Sequence, residues 1–171
     1  MGKYTIPIGL KKVAAMCVLK HQDQFLLLKR AKAPNRDMYV PVGGKLDPFE
    51  SAYEAVLRET EEETGIQLES AKYCGTLTET SPLKYNWISY IYLAEIEYQP
   101  PPFCDEGILE WIQIDQLLKV PTPPTDWWIY QYILKNKPFA FSAIFDEELT
   151  MLEMREDIAN IKLSNPVSRW Q

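Results

Sequence analysis

The chain has 171 residues, of which 46% are hydrophobic, and its formal net charge is −6. This length and apolar content predict one domain over residues 1–171, with a hydrophobic core. The net charge argues against a nucleic-acid polymer or an anionic membrane as partner, and no apolar run is long enough to span a bilayer. The first residues lack a signal-peptide core and the three cysteines lack zinc-like spacing, so we expect reduced thiols in a cytoplasmic protein.

The first part of the chain predicts a β-hairpin that leads toward a glycine pair. Residues 13–19 form a short apolar run typical of a buried strand, residues 21–23 form a turn, and residues 24–29 return as a second strand. Gly43 and Gly44 follow a short extended segment. Because glycine has no Cβ, this pair allows the backbone to approach a ligand and to offer it N–H or carbonyl groups.

A helix is predicted after the glycine pair, with Gly65 as its left-handed C-terminal stop. Asp47 is the expected N-cap, Pro48 the first helical residue, and Glu50 completes a capping box with Asp47. Small residues at positions 52, 55, 56 and 60 form a narrow stripe that can pack against a sheet.

Three glutamates of this helix, Glu59, Glu62 and Glu63, have the i, i+3, i+4 spacing that places side chains on one face. Carboxylates this close repel one another, whereas a bound divalent cation would turn the repulsion into attraction. Hard oxygen donors that leave positions for water and phosphate suit Mg²⁺ or Mn²⁺. A solvated acidic face is the alternative. Arg58 stands one turn before Glu62 and can hold it through a charge-assisted hydrogen bond.

The second half of the chain predicts further strands and one more helix. Strands are expected at residues 72–78, 87–98, 109–114 and 139–145, and apolar side chains on both faces of 87–98 indicate an interior strand. A helix with Thr125 as its N-cap should run over residues 126–135. Residues 149–156 are expected to pair back as a hairpin, with a short helix as the alternative, and residues 160–171 to form a loosely held tail.

One segment of the chain carries a family resemblance. Gly44, then Glu50 after five residues, then the run from Arg58 to Ile66 after seven more resemble the complete Nudix box, G-x5-E-x7-R-E-U-x-E-E-x-G-U, where U is bulky and apolar. Every fixed glycine, glutamate and arginine matches, and Thr60 at the first U is the one departure. The resemblance implies an α+β Nudix fold, with a mixed β-sheet between α-helices. It also implies a hydrolase that uses Mg²⁺ or Mn²⁺ to cleave a nucleoside diphosphate linked to another group.

The C-terminal half is similar to one Nudix branch, the 8-oxo-dGTP diphosphatases. The runs at residues 105–111, 114–117, 125–128 and 136–139 follow in the order of that branch, and YVPVGGK at residues 39–45 also fits it. The resemblance implies hydrolysis of an oxidised purine nucleoside triphosphate to the monophosphate and pyrophosphate. Two positions depart from the branch. Val40 stands where an asparagine can read the base, and Pro123 stands where an indole commonly stacks on it.

The resemblance implies roles for individual residues. The metal ligands are the Gly44 carbonyl and the side chains of Glu59, Glu62, Glu63 and Glu106. The attacking water gives its proton to Glu59, Glu62 or Glu106, and Glu50 and Arg58 orient the ligands. The residues expected to contact the nucleotide are Tyr39, Val40, Gly43, Lys45, Asp126 and Trp127. Asp126 is expected on the purine edge, with Trp127 or Trp128 stacking, and the alternative for Glu106 and Asp126 is an exposed acid without such a role.

Other functions stay open from the sequence. Hydrolysis of ADP-ribose, a nucleotide sugar or a dinucleoside polyphosphate is the runner-up. A Nudix module that binds a nucleotide without cleaving it is the alternative from another class. Such modules typically lose box carboxylates, and this chain has all of them, so we expect an enzyme. Its partner should be the nucleotide substrate, and the protein should be a monomer or homodimer.

Overall fold

The computed structural model describes residues 7–166, and within them eleven strands pair into one sheet accompanied by two α-helices. The elements run in the order β1 Lys12–His21, β2 Gln24–Arg30, β3 Tyr39–Val40, β4 Val42–Lys45, α1 Ala52–Thr64, β5 Lys72–Thr80, β6 Trp87–Glu95, β7 Phe103–Cys104, β8 Gly107–Gln113, a 3-10 turn Ile114–Gln116, α2 Pro124–Leu134, β9 Phe139–Phe145, β10 Met151–Glu156 and β11 Ile161–Leu163.

The sheet is mixed, with the strand order β11-β10-β9-β5-β6-β1-β2-β8-β7. The β1–β6 and β5–β9 pairs are parallel, and the other pairs are antiparallel. Strand β1 changes its neighbour part-way along. Its C-terminal part pairs with β2, whereas its N-terminal part pairs with β4, where Ala15 lies opposite Gly44. This switch brings the glycine pair into the sheet.

Each face of the sheet packs against one helix, because the apolar residues of the central strands alternate between two clusters. Cys17 of β1 packs in the cluster that contains Val56 of α1. Its neighbour Val18 packs in the cluster that contains Tyr130 of α2. Full burial of side chains of this kind stabilises the fold by roughly 1.5–3 kcal/mol each. The prediction of a mixed sheet between helices is confirmed, as is the interior position of β6.

Helix α1 begins later than predicted. Its N-cap is Ser51, which forms a capping box with Glu54, and Asp47 lies outside the helix. The reason is the backbone of Phe49, whose φ of 66° is left-handed and cannot continue into a helix. The Asp47 N–H still receives the Glu50 side chain at 2.8 Å, but this contact closes a turn that precedes the helix. Gly65 ends the helix as predicted, with a φ of 72°.

The C-terminal region needs two further corrections. Helix α2 starts at Pro124 with Pro123 as its cap residue, so Thr125 is not the N-cap. The predicted hairpin at residues 149–156 is confirmed by the antiparallel pairing of β10 with β9. The prediction of a loose tail from residue 160 is wrong for β11, which pairs with β10 and buries Leu163. Residues 167–171 of that predicted tail lie outside the described residues.

No helix within residues 7–166 is both long enough and apolar enough to cross a membrane. Cys17, Cys74 and Cys104 are free thiols, and Cys17 lies in the core.

Candidate active site

A cleft of about 770 Å³ lies at the N-terminal half of β1. Alternate residues of β1, among them Ala14 and Met16, contribute to its lining, because successive strand residues point to opposite faces. The glycine turn, α1, the segment before β8 and the start of α2 also line it. Chain segments that are distant in sequence therefore meet around one cavity.

Helix α1 presents Glu59 and Glu63 to the cleft, and Glu106 joins them from the turn between β7 and β8. The Gly43 N–H donates to Glu63 at 3.1 Å. Burial raises the pKa of Glu63 to about 7, and the charges of Glu59 and Glu106 add to this effect. Glu62 belongs to the same predicted set, but its side chain is exposed and does not line the cleft.

The two glycines are required for different reasons. A Cβ at Gly44 would lie 2.4 Å from the carboxyl carbon of Glu59, so this glycine makes room for the carboxylate. A Cβ at Gly43 would lie 2.2 Å from the carbonyl oxygen of Ala15, and Gly43 has a φ of +151°. Gly44 therefore shapes the site, whereas Gly43 allows β4 to pair closely with β1.

Arg58 holds the acidic residues around it in a fixed arrangement. Its guanidinium donates to both oxygens of Glu50 at 2.7 and 2.8 Å, to Glu59 at 2.9 Å and to Glu62 at 3.1 Å. It also donates to the Lys45 carbonyl at 3.0 Å. The hydrogen bonds from Arg58 lower the pKa of Glu50 to about 2. The structure thus brings together the residues to which the sequence assigns an orienting role.

A second pair of acids, Glu79 and Asp126, lines the same cleft, although their side chains are largely buried. The Tyr85 hydroxyl lies 3.1 and 3.2 Å from the two carboxyl oxygens of Glu79 and donates to them. The Thr125 hydroxyl lies 3.4 Å from one oxygen of Asp126. Burial raises the pKa of Glu79 to about 7. Burial, followed by the charge of Glu79, raises the pKa of Asp126 to about 8.

Glu79 is a cleft residue that the sequence analysis did not single out, as is Arg30. The alternation of side chains along β5 could have indicated that Glu79 is buried, because Glu79 lies on the same face of the strand as the buried residue Leu77. An acid in the apolar register of a strand is unusual, because burying a carboxylate without a partner is unfavourable. The sequence alone does not place its neighbour Tyr85, which lies in the loop after β5.

The predicted nucleotide contacts divide into two groups. Val40, Gly43, Lys45 and Asp126 line the cleft, whereas Tyr39 and Trp127 do not. Tyr39 is buried and its hydroxyl donates to Glu110. The indole of Trp127 packs edge-on against Trp128, with ring centroids 4.8 Å apart. Tyr39 and Trp127 thus lie in packed positions.

Cleft-lining oxygen donors of the glycine turn, α1 and the β7–β8 turn form a set suited to a hard divalent cation. In the described range 7–166, no three side chains of His, Cys, Asp or Glu already converge on a common metal position. The chemistry of the donors nevertheless fits such an ion. Glu63 carries a raised pKa beside two other carboxylates, and a positive charge at this point would relieve their mutual repulsion.

Comparisons with known proteins agree with this geometry. The family model described as the NUDIX domain matches residues 10–135. The Bacillus subtilis protein called "Uncharacterized Nudix hydrolase YvcI" is 28% identical over 152 residues, which are 85% of this chain and 94% of that protein. The mouse 8-oxo-dGDP phosphatase NUDT18 is 31% identical over 97 residues, 54% of this chain and 29% of that protein. The crystal structure of the mMutator MutT protein of Bacillus halodurans aligns with a TM-score of 0.75 and 27% identity, covering 86% of this chain and 98% of that one.

Proposed function

Because the chain belongs to the Nudix hydrolase family and is a pyrophosphohydrolase, we propose that it hydrolyses a nucleoside triphosphate to the monophosphate and pyrophosphate. The substrate is an oxidised purine nucleotide such as 8-oxo-dGTP. The observation that carries this proposal is that one cleft joins the carboxylates of the Nudix helix to a partly apolar pocket that contains Asp126. The cleft therefore offers a place for phosphate and a place for a base.

Glu59, Glu63 and Glu106, together with the Gly44 carbonyl, would hold Mg²⁺ or Mn²⁺, and Glu62 would join them from the solvent side of the same helix face. When bound, the ion would neutralise phosphate charge and lower the pKa of a water molecule. Arg58 and Glu50 keep the carboxylates in place, because the guanidinium bonds Glu59 and Glu62 while Glu50 anchors the guanidinium.

The chain supplies groups for each step of the hydrolysis. Water adds to one phosphorus, the α–β anhydride bond breaks, and pyrophosphate leaves. Glu59 or Glu106, which line the cleft, would accept the proton of that water, with Glu62 as the more exposed alternative. Arg30 and Lys45, which also line the cleft, provide positive charge for the phosphate groups.

The base would occupy the part of the cleft where Met16, Val40 and Leu77 offer apolar surface and Asp126 offers a polar group. Sites for small molecules commonly combine an apolar lining with a few placed polar groups. The similarity to a mouse protein named as an 8-oxo-dGDP phosphatase supports an oxidised guanine nucleotide as substrate. We also propose that the protein is cytoplasmic and that it is a monomer or a homodimer.

A substrate panel tests the proposed function. Purified protein with Mg²⁺ is offered 8-oxo-dGTP, 8-oxo-dGDP, the normal dNTPs, ADP-ribose, a nucleotide sugar and a dinucleoside tetraphosphate, and both pyrophosphate and phosphate are measured. We expect 8-oxo-dGTP to be consumed fastest with release of pyrophosphate, and chelation of the metal by EDTA to stop the reaction. Faster hydrolysis of ADP-ribose, a nucleotide sugar or the dinucleoside tetraphosphate would contradict the proposed substrate, an oxidised purine nucleoside triphosphate. No turnover of any compound would indicate a binding module.

A further inference from the structure

We propose that Asn86 is a positioning residue that acts through Lys84. It holds the loop between β5 and β6, residues 81–86, so that the Lys84 ammonium contacts the outer phosphates of the substrate, those that leave as pyrophosphate. This inference rests on the proposed function, because it requires a phosphate chain in the cleft.

The β5–β6 loop contributes to the lining of the cleft through Lys84 and Tyr85. Strand β6 begins directly after the loop, at Trp87, and lies on one side of β1. Strand β4, which ends at Lys45, lies on the other side of β1. The first residues of β1 are therefore flanked on both sides by a chain segment that brings a lysine to the cleft.

Asn86 is the centre of the hydrogen bonds that close this loop. It is buried, with an exposed fraction of 1%. Its amide nitrogen donates to the carbonyl oxygens of Ser81 and Leu83 at 3.2 and 2.7 Å. Its amide oxygen accepts from the Ser81 N–H at 3.1 Å and from the Lys11 ammonium at 3.2 Å. An asparagine side chain has two donor hydrogens and one oxygen with two lone pairs, so all of its hydrogen-bonding capacity serves the loop.

A second set of contacts comes from Ser81. Its hydroxyl donates to the Tyr85 carbonyl at 2.7 Å and accepts from the Leu83 N–H at 3.1 Å. The backbone is thus bonded on both sides of Lys84. Because side chains follow the direction of their backbone, fixing these neighbours also fixes where the Lys84 side chain leaves the loop.

Lys84 is the cation that the loop offers to a ligand. Its side chain is exposed, and within residues 7–166 its ammonium group takes part in no hydrogen bond or salt bridge. By contrast, the Arg30 guanidinium, which belongs to the same cleft, already donates to the Pro34 carbonyl at 3.0 Å. An ammonium group without a partner suits an anion, because charge-assisted hydrogen bonds are the stronger ones.

The exposed position of Lys84 favours the outer end of the phosphate chain. In the proposed function the base occupies the apolar part of the cleft around Met16 and Leu77, and the sugar and the α-phosphate follow it. The β- and γ-phosphates then lie nearest to solvent, where Lys84 is exposed. A lysine ammonium binds phosphate as a point charge, so a nucleotide without these two phosphates lacks the contact.

Nucleotide binding tests this inference separately from hydrolysis. With Mg²⁺ present, calorimetry measures the affinities of 8-oxo-dGMP and of the α,β-methylene analogue of 8-oxo-dGTP, whose bridge water cannot cleave. Lys84→Ala should weaken binding of the analogue about tenfold and of the monophosphate less than about twofold, because only the analogue carries the outer phosphates. The control is Lys72→Ala, at an exposed lysine outside the cleft whose ammonium contacts Asn136.

A double-mutant cycle separates a positioning role from a merely structural one. Asn86→Ala should weaken the analogue about tenfold while leaving the monophosphate within about twofold, and adding it to Lys84→Ala should weaken the analogue less than about twofold further. Gln67→Ala, which removes an exposed amide outside the cleft, is the control. Ser81→Ala removes the second set of loop contacts and provides the same cycle if Asn86→Ala does not fold.

Two outcomes would overturn the inference. The first is an equal loss of affinity for the monophosphate and the analogue in Lys84→Ala. The second is a double variant in which the separate losses of Asn86→Ala and Lys84→Ala multiply, because independent effects add in free energy.

The two proposals fail in different ways. If the analogue binds with the expected pattern but no triphosphate is hydrolysed, the proposed function is wrong and the role of Asn86 stands. If triphosphates are hydrolysed but the variants do not distinguish the analogue from the monophosphate, the role of Asn86 is wrong and the hydrolase stands. Wild-type protein that binds the analogue no more tightly than the monophosphate overturns the role of Asn86.

Discussion

Two groups of carboxyl side chains, one beside Arg58 at the mouth of the cleft and one buried in its wall, experience opposite electrostatic conditions. Around α1, Glu50, Glu59 and Glu62 surround the guanidinium of Arg58, which donates to all three. At the other group, Glu79 and Asp126 are almost fully buried, and no salt bridge in residues 7–166 includes them. Hydrogen bonds from Arg58 therefore lower the pKa of Glu50, whereas burial raises the pKa of Glu79 and of Asp126.

This difference shows that the surroundings of a carboxyl group affect its pKa more than the choice between aspartate and glutamate does. The guanidinium lowers the pKa of Glu50 to about 2, whereas burial raises the pKa of Asp126 to about 8. The pKa of Glu63 lies between these two values, at about 7, because burial and the charges of Glu59 and Glu106 raise it while the hydrogen bond from the Gly43 N–H lowers it. Carboxylates beside a guanidinium suit cations and phosphate chemistry, whereas a carboxyl group with a raised pKa can also donate a hydrogen bond.

The largest expected effect comes from the anionic group. Glu59→Gln keeps the shape of the side chain but removes its charge from the cleft, so we expect kcat to fall by roughly 10²–10⁴-fold. Glu61→Gln is the matched control, because Glu61 lies on the same helix and its exposed side chain accepts from Gln67. Steady-state kinetics with Mg²⁺ measures both variants. Near-normal turnover in Glu59→Gln would contradict the role proposed for Glu59 in the reaction.

Arg58→Lys should have a smaller effect on the same group. A lysine ammonium cannot reproduce the fork that contacts Glu50, Glu59 and the Lys45 carbonyl together, so the carboxylates lose their fixed positions. We expect activity and metal affinity to fall about 10–100-fold. Arg155→Lys, at a half-buried arginine of β10 that donates to Asn160 and does not line the cleft, is the control. Unchanged metal affinity in Arg58→Lys would mean that Arg58 does not position the ligands.

The smallest effect concerns the pH dependence of stability at the buried acids Glu79 and Asp126. Asp126 has a raised pKa of about 8 in the folded protein, against about 4 when unfolded. Its stabilising contribution is thus complete below about pH 4 and is lost as the pH rises through about 8. The asparagine of Asp126→Asn does not titrate, so the variant does not lose this contribution. The melting temperature of the variant minus that of the wild type should therefore be larger at pH 8 than at pH 5, by at least ~2–4 °C. Thermal unfolding measures this gain, with the exposed Asp115→Asn as control. A difference that does not change with pH would contradict the burial of a proton-holding acid.

Local patterns predicted much of this molecule. The spacing of residues 44–66 identified the Nudix helix, and the comparisons confirm the Nudix fold that the resemblance implied. Alternating apolar residues located most strands, including the hairpin formed by β9 and β10. The start of α1 was wrong because a capping-box pattern occurs at Asp47 and again at Ser51, and only the left-handed backbone of Phe49 separates them. Helix ends depend on such single dihedral angles, which spacing does not show.

The amino-acid sequence by itself determined the family, the acidic face of α1, the glycine pair before it and the two-sided core of the sheet. These features depend on residues close together in the chain, where helix and strand periodicities fix which side chains are neighbours. Only the tertiary structure brought Glu79 of β5 and Asp126 of α2 to the same cleft, and burial there raises the pKa of both acids. Packing decides this, because the free energy of a charge depends on neighbours in space, and here those neighbours lie far apart along the chain.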